Sequence, residues 1–336
     1  MSAPLLSVSD LTVRFRTDEG LVTAVEQVGF RIAAGEVLGL VGESGSGKSV
    51  TAKALMRLNA ENTDYDPASR IVLTLPGAAP LDILALRTER QMQPVRGGAI
   101  SMVFQEPMAS FAPAITVGEQ MVEQLRVHTD LSRRAARDLS IEMLARVGLS
   151  EPARRFRQYA FEFSGGMRQR AMIAMALSTR PRLLIADEPT TALDVTIQAQ
   201  VIDLMKDLVA EFGMGILFIT HDLGVIAQTA DRVAVMYLGR IVEEGPVRRV
   251  IRAPVHPYTK GLIAALPRLD DLDAPLTPVP GDIPSPLERP SGCVFHTRCA
   301  ERIAGRCDRA VPAPVTVAEG HAASCLRLDD QARRAG

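Results

Sequence analysis

Eight consecutive residues, Gly42-Glu43-Ser44-Gly45-Ser46-Gly47-Lys48-Ser49, carry the chemistry of an anion clamp. They satisfy the pattern G-x-x-x-x-G-K-[ST], in which each residue type has a physical task. The glycines let backbone N–H groups turn inward around an anion, a conformation that a Cβ would obstruct. Lys48 supplies a point charge for β- and γ-phosphates, and the Ser49 hydroxyl can ligate Mg²⁺. A second constellation ends the apolar run Arg182-Leu183-Leu184-Ile185-Ala186-Asp187-Glu188-Pro189. Asp187 suits a Mg²⁺ shell, and Glu188, one residue on, can accept a proton from water attacking a γ-phosphate. Between the two lies Phe163-Ser164-Gly165-Gly166-Met167-Arg168-Gln169-Arg170. Ser164 reads as an N-cap, the glycines bare the backbone, and the helix continues until Pro181 forbids it. Such a helix start is a second anion site in the same chain.

These groups need elements to hold them. Glu36 to Val41 reads as a short buried strand, and Ser49 to Leu58 as a helix whose positive end faces the phosphates. Strands near Leu6–Phe15 and Ala24–Ile32 alternate apolar positions and predict an antiparallel edge sheet. Residues 59–98 read as an irregular insertion containing Arg70 to Leu75. From about residue 107 to 161 the pattern is helical. In one helix Ser132 caps, Ala136, Leu139, Met143 and Val147 share a face, and Gly148 ends it, leaving Arg133, Arg134 and Arg137 on a solvated face. Residues 231–237, Gly239 and 241–245 predict a hairpin. From Ala253 prolines and short polar stretches replace periodic segments, which marks a boundary.

The bulk numbers exclude other classes. At 336 residues the chain can form one large or two modest domains, and 47% apolar with 23% charged residues is ordinary for a globular protein. A net charge of −1 gives no reason to expect nucleic-acid binding. No run approaches the roughly 18 apolar residues of a membrane span, and Met1 to Asp10 has no signal-peptide pattern. The expectation is a cytoplasmic chain that reaches a membrane only by docking on another protein.

The Ser164-Gly165-Gly166-Met167 stretch, in its order after the phosphate loop and before the Asp187 strand, resembles the signature sequence of an ATP-binding cassette (ABC) subunit. The resemblance implies an α/β fold of the P-loop NTPase class: a RecA-like parallel sheet core, an antiparallel β edge sheet, a helical subdomain at about 107–161, and a small appendage. It implies that Ser164, Gly165, Gly166 and Met167 close on the ATP of a partner cassette, so that two chains sandwich two nucleotides. The chain's own ATP would be held by Gly42, Ser44, Gly45, Ser46, Gly47, Lys48, Ser49 and Val50, with Phe15 stacking on adenine. Gln105 resembles the loop glutamine that reaches Mg²⁺ and the attacking water. Ala192-Leu193-Asp194 resembles the loop that crosses the dimer interface, and His221, after the apolar strand Ile216 to Thr220, resembles the switch histidine at the γ-phosphate. Mg²⁺ would be held by Ser49, Gln105 and Asp187, and the catalytic residues would be Glu188, His221 and Gln105. Gln105 to Gln120 resembles the region where a membrane subunit's cytoplasmic helix docks.

Val255-His256-Pro257-Tyr258-Thr259 and Gly292-Cys293-Val294-Phe295-His296-Thr297-Arg298-Cys299 resemble the tail of cassettes from oligopeptide, dipeptide and nickel importers. The implied division is 1–252 for the nucleotide-binding domain and 253–336 for the appendage. Phe163, Tyr159-Ala160-Phe161-Glu162 and Phe111-Ala112-Pro113 depart from the family's commonest residues, away from the phosphate-facing positions. All four cysteines, Cys293, Cys299, Cys307 and Cys325, fall in the appendage, spaced C-x5-C-x7-C-x17-C. A reducing cytosol argues against disulfides, which leaves a thiolate site for a [4Fe–4S] cluster or Zn²⁺, or four reduced thiols. Absence of an x2 gap favours iron–sulfur, and a coreless tail would use the metal as a staple. Taken together the expectation is the ATPase subunit of an importer, most readily of peptides, with nickel or small sugars as alternatives. It would be paired with a second related cassette in preference to a second copy of itself, and with two permease subunits. A ribosome- or DNA-acting ABC ATPase is disfavoured by the single cassette and near-neutral charge, and a sensor tail is compatible with transport.

Overall fold

A computed structural model describes residues 3–106, 110–190, 195–266 and 279–328. In chain order the strands are β1 (Leu6–Thr17), β2 (Gly20–Ile32), β3 (Val37–Val41), β4 (Thr63–Tyr65), β5 (Arg70–Leu73), β6 (Leu81–Asp82), β7 (Ile100–Val103), β8 (Leu183–Asp187), β9 (Gly215–Thr220), β10 (Arg232–Tyr237), β11 (Arg240–Pro246), β12 (Val315–Ala318) and β13 (His321–Ala323). The helices are α1 (Lys48–Leu55), α2 (Glu89–Met92), α3 (Val117–His128), α4 (Arg133–Arg146), α5 (Pro152–Arg155), α6 (Gly165–Ser178), α7 (Val195–Phe212), α8 (Leu223–Thr229), α9 (Val247–Arg252) and α10 (Pro257–Ala264). Two compact units divide the chain: Met1–Leu6, Ile32–Glu36 and Leu73–Ile219 form the first, and Ser7–Arg31, Val37–Val72 and Thr220–Gly336 the second.

In the first unit β7, β8 and β9 run parallel in that order, with Val103 opposite Ala186 and Asp187 opposite Ile219. All five residues of β8 and all six of β9 are buried. Such unbroken apolar runs belong to strands covered on both faces. Helices α3, α4 and α5 realise the predicted helical stretch. Ser132 caps α4 by accepting the Ala135 N–H at 3.2 Å, and Gly148 ends it at φ 74°. The buried face of α4 is Ala136, Ser140, Met143 and Leu144, with Val147 beyond, and Leu139 is only half-buried. Arg133 pairs with Glu119 at 2.7 Å and Arg137 lies over the Phe156 ring, so the basic face is used in local pairing.

The second unit holds two sheets. In one, β2, β1 and β5 are neighbours, with β4 antiparallel to β1. Only two residues link β1 to β2, which is short enough for antiparallel pairing alone. The stretch expected to be an irregular insertion therefore contributes ordered strands, and its α2 is fixed by a capping box between Thr88 and Gln91. The other sheet has the order β12-β13-β11-β10-β3. β3 and β10 are parallel, and β10 and β11 form the predicted hairpin through Leu238 and Gly239, both at positive φ. β13 adds to the outer edge of β11, with Glu243 opposite Ala323. The proline-rich tail thus continues the sheet that carries the phosphate loop, a placement that composition alone did not foretell.

Candidate active site

The phosphate loop leaves β3 and enters α1 directly. Gly47 occupies the N-cap at φ 102°. A Cβ there would stand 2.8 Å from the Ala24 carbonyl oxygen, and one on Gly42 would stand 2.1 Å from the Met236 carbonyl oxygen. Gly45, at φ 77°, has nothing within 4 Å. Two glycines are therefore demanded by packing and the third by backbone angle alone. From beneath, the hairpin tip supports the loop: the Gly239 N–H donates to the Ser46 carbonyl at 2.8 Å. Ser46 and Lys48 are buried, whereas Ser44 and Gly45 are exposed and Ser49 and Val50 half-buried. Lys48 Nζ donates to the Gly42 and Glu43 carbonyls at 2.8 and 2.9 Å. Its charge is thus centred in the loop. Phe15 stands half-buried on β1, opposite Thr63 of β4.

The carboxylate pair sits at the end of β8. Asp187 is buried in the strand. Glu188 has the left-handed φ of 48°, uncommon for a residue with a side chain, and its N–H donates to the Ile219 carbonyl at 2.9 Å. That turn aims the side chain beyond the strand end, where Gln105 Nε2 donates to Glu188 Oε2 at 3.2 Å. Gln105 and Glu188 are thereby brought together. His221 is exposed at the junction of β9 and α8. The next residue, Asp222, caps α8 by accepting the Gly224 and Val225 N–H groups.

Ser164 caps α6, its Oγ accepting the Met167 N–H at 3.4 Å. Ser164 and Gly165 are exposed, and Gly166 and Met167 half-buried. Asp194 lies outside the described residues.

The tail reaches the phosphate loop through residues for which the sequence supplies only a family resemblance. Tyr258 Oη accepts the Glu43 N–H at 3.0 Å, and Arg298 meets the Glu43 carboxylate at 2.7 and 3.1 Å. Burial drives the Tyr258 hydroxyl pKa far up, so it stays neutral. At Arg298 burial works against the charge, and the hydrogen bonds and charge attraction of Glu43 and Tyr237 together outweigh it and raise the pKa. An acid inside an anion loop is the signal that calls for such a counter-charge.

Cys307 is buried and Cys293, Cys299 and Cys325 are half-buried; none is in a disulfide. Burial pushes the Cys293 thiol up to about 11, with the other three sulfurs adding to the rise. Cys307 Sγ accepts the Ile303 N–H at 3.3 Å, and the backbone at Phe295, Glu301 and Arg327 offsets part of the burial-driven rise at Cys293, Cys299 and Cys325. Among the described residues no group of three or more His, Cys, Asp or Glu is arranged to hold a metal ion. The arrangement of the four thiols therefore does not by itself support the expected cluster.

Comparison with known proteins gives the class. Residues 25–191 match the ABC transporter family profile, and residues 242–307 match the oligopeptide/dipeptide transporter C-terminal region. The chain belongs to the ATP-binding cassette family, as an ABC ATPase of the branch that carries this C-terminal region. It is 49% identical over 333 residues to a Brucella ovis protein named for peptide import ATP binding, covering 97% of this chain and 98% of that one. A Brucella abortus protein of the same description matches equally. Among solved structures, the dimeric post-hydrolysis cassette MJ0796 bound to ADP and phosphate superimposes with a TM-score of 0.63 at 25% identity, covering 72% of this chain and 99% of that one. Clostridium perfringens cbiO1, part of the cbiONQ transporter complex, gives 0.61 at 25% identity, with 75% and 92% covered. The family works with ATP and Mg²⁺. Among the described residues no helix is long and apolar enough to cross a membrane.

Proposed function

We propose that the chain is the ATP-hydrolysing motor of a peptide importer. The hydrogen bond between Gln105 and Glu188 carries the hydrolytic part, because it fixes a carboxylate just past a strand end, where a base is needed. Glu188 takes a proton from water as the water oxygen bonds to the γ-phosphorus; the bond to the β-phosphate oxygen breaks, and ADP and phosphate leave. Lys48, Ser49, Val50 and the N–H groups of Gly42, Ser44, Gly45, Ser46 and Gly47 hold the nucleotide, Phe15 stacks on adenine, and His221 meets the γ-phosphate. Asp187, a buried hard-oxygen donor, suits Mg²⁺, and Ser49 and Gln105 complete its holders. When bound, the ion neutralises charge on the phosphates.

Ser164, Gly165, Gly166 and Met167 serve the ATP of a partner cassette. A Cβ on Gly165 would meet nothing within 4 Å, so this chain's own packing does not require glycine there, whereas close approach of a phosphate does. The dimeric state of the solved relative supports the arrangement, with Asp194 on the crossing loop. A related but different cassette is favoured as that partner over a second copy of this chain. Two permease subunits dock near Gln105 to Gln120 on the cytoplasmic membrane face, and an extracytoplasmic binding protein delivers cargo. The names of the Brucella relatives and the tail match support peptides as that cargo. The division into 1–252 and 253–336 follows the same resemblance. To test this, tagged Glu188→Gln chain is recovered from detergent-solubilised native membranes with and without ATP. Two permeases and a second cassette are expected; soluble or ribosomal partners alone would overturn transport.

The tail thiols carry a second reading. We infer that Cys293, Cys299, Cys307 and Cys325 hold one metal centre, a [4Fe–4S] cluster or, as the alternative, Zn²⁺. The backbone N–H groups of Phe295, Glu301 and Arg327 support it, since at Cys293, Cys299 and Cys325 they offset part of the burial that favours the thiol. So does the Cys293 N–H bond to the Cys307 carbonyl at 2.8 Å, which ties two of the four loops together. Anaerobic purification with iron and zinc analysis decides between the metals, and a folded, metal-free tail removes both.

A further inference from the structure

Glu43, the second residue of the phosphate loop, has every polar group engaged. Its carbonyl accepts from Lys48 Nζ at 2.9 Å, its N–H donates to Tyr258 Oη at 3.0 Å, and its carboxylate receives both arms of Arg298 at 2.7 and 3.1 Å. Two of these three partners come from beyond residue 252. Arg298 is not a mobile surface side chain. Its side chain is 4% exposed, Nε donates to the Pro280 carbonyl at 2.9 Å, and Nη2 donates also to the Val279 carbonyl at 3.1 Å. The guanidinium lies over the Tyr237 ring at 5.7 Å. Tyr237, Tyr258 and Phe295 pack mutually with centroids 4.7 to 5.3 Å apart. A rigid aromatic seat thus fixes the donor fork before it reaches the loop.

The chemistry follows from where Glu43 stands. A carboxylate in an anion-binding loop repels the triphosphate that the loop must accept, and a fixed bidentate guanidinium cancels that charge while fixing the side chain. We propose that Arg298 is a positioning residue of the nucleotide site, holding and neutralising Glu43 so that the tail sets both the shape and the charge of the phosphate loop. The inference rests on that loop binding ATP, as proposed above.

The experiment measures equilibrium MgATP binding and ATPase kinetics on the full-length chain as wild type, Arg298→Ala, Arg298→Lys, Glu43→Gln/Arg298→Ala and Lys48→Ala. Arg298→Ala should bind ATP roughly tenfold more weakly with kcat little changed, since the residue does not touch the reacting atoms. Arg298→Lys should recover only part, because one ammonium cannot span both carboxylate oxygens. In the double variant most of the affinity should return, since no carboxylate is left unpaired. Should Arg298→Ala fail to fold, Arg298→Lys compared with and without Glu43→Gln gives the same cycle. Affinity equal to wild type in Arg298→Ala, or no rescue by Glu43→Gln, overturns the positioning role. Unchanged binding in Lys48→Ala instead overturns the ATP reading of the loop, so the two failures are distinct.

Discussion

Gln105 Nε2 donates to Glu188 Oε2 at 3.2 Å, joining residues 83 apart in the chain. The parallel register of β7 and β8, with Val103 opposite Ala186, brings them together two residues past that pair on each strand. The left-handed backbone at Glu188 keeps the carboxylate out of the strand. Glu188→Gln preserves shape and the capacity to hydrogen-bond while abolishing the base. It should bind ATP as wild type and hydrolyse it about 10²- to 10⁴-fold more slowly. Phosphate release measured beside nucleotide binding checks this, and wild-type turnover would remove Glu188 from the role.

The glycines of the phosphate loop should not be equivalent. Gly45→Ala meets only the cost of a left-handed alanine, about 1–2 kcal/mol. Gly47→Ala meets that cost and also the Ala24 backbone oxygen 2.8 Å away, which cannot yield as the neighbouring Met236 side chain can. Gly47→Ala should therefore abolish ATP binding and Gly45→Ala only weaken it. Titration with a fluorescent ATP analogue, alongside thermal melting, distinguishes the two.

How much of this was readable beforehand depended on range. The phosphate loop, the β8 carboxylates and the β10–β11 hairpin are local patterns in which residue types impose a single conformation, and their elements stand where the sequence puts them. The register that joins Gln105 to Glu188 is a long-range pairing, reached from the sequence only through family resemblance. The tail was least legible. His256, Tyr258 and Arg298 could be quoted as motif residues, yet their tasks arise from β13 adding to β11, an edge pairing that short, half-exposed strands do not announce. Glu243 gave no signal at all: it is an ordinary strand glutamate until the fold buries it.

That buried Glu243 leads to a third expectation. Its carboxylate accepts the Val255 and His256 N–H groups at 2.9 and 2.8 Å and faces His321 Nε2 at 2.8 Å. Glu243→Ala would orphan the buried His256 N–H and the part-buried Val255 N–H and strand the imidazole, each buried group costing about 1–3 kcal/mol. The loss should fall on β13 and the start of α10. Hydrogen exchange should show faster exchange at residues 254–258 and 321–323, with β7 to β9 unchanged; uniform acceleration across the chain would contradict this local role.

His256 predicts the direction of acid sensitivity. Its Nδ1 accepts the Tyr258 N–H at 3.1 Å, capping α10. Burial, with the Lys260 charge adding to it, holds its pKa down to about 3 against an ordinary 6.5. The folded chain therefore keeps the ring neutral while the unfolded chain takes a proton below about pH 6.5. Through that window the unfolded state binds more protons, so stability falls as pH falls, by up to about 1.4 kcal/mol per pH unit, and is fully present above it. His256→Asn retains a capping oxygen and removes the titration. The chain has no tryptophan and four tyrosines, and Tyr237 and Tyr258 pack beside this site, so urea unfolding can be followed by tyrosine fluorescence. Between about pH 7 and about pH 5.5 wild type should lose about 1 kcal/mol more than His256→Asn. Parallel pH profiles in the two proteins would show that His256 is protonated in the fold and does not set the acid limit.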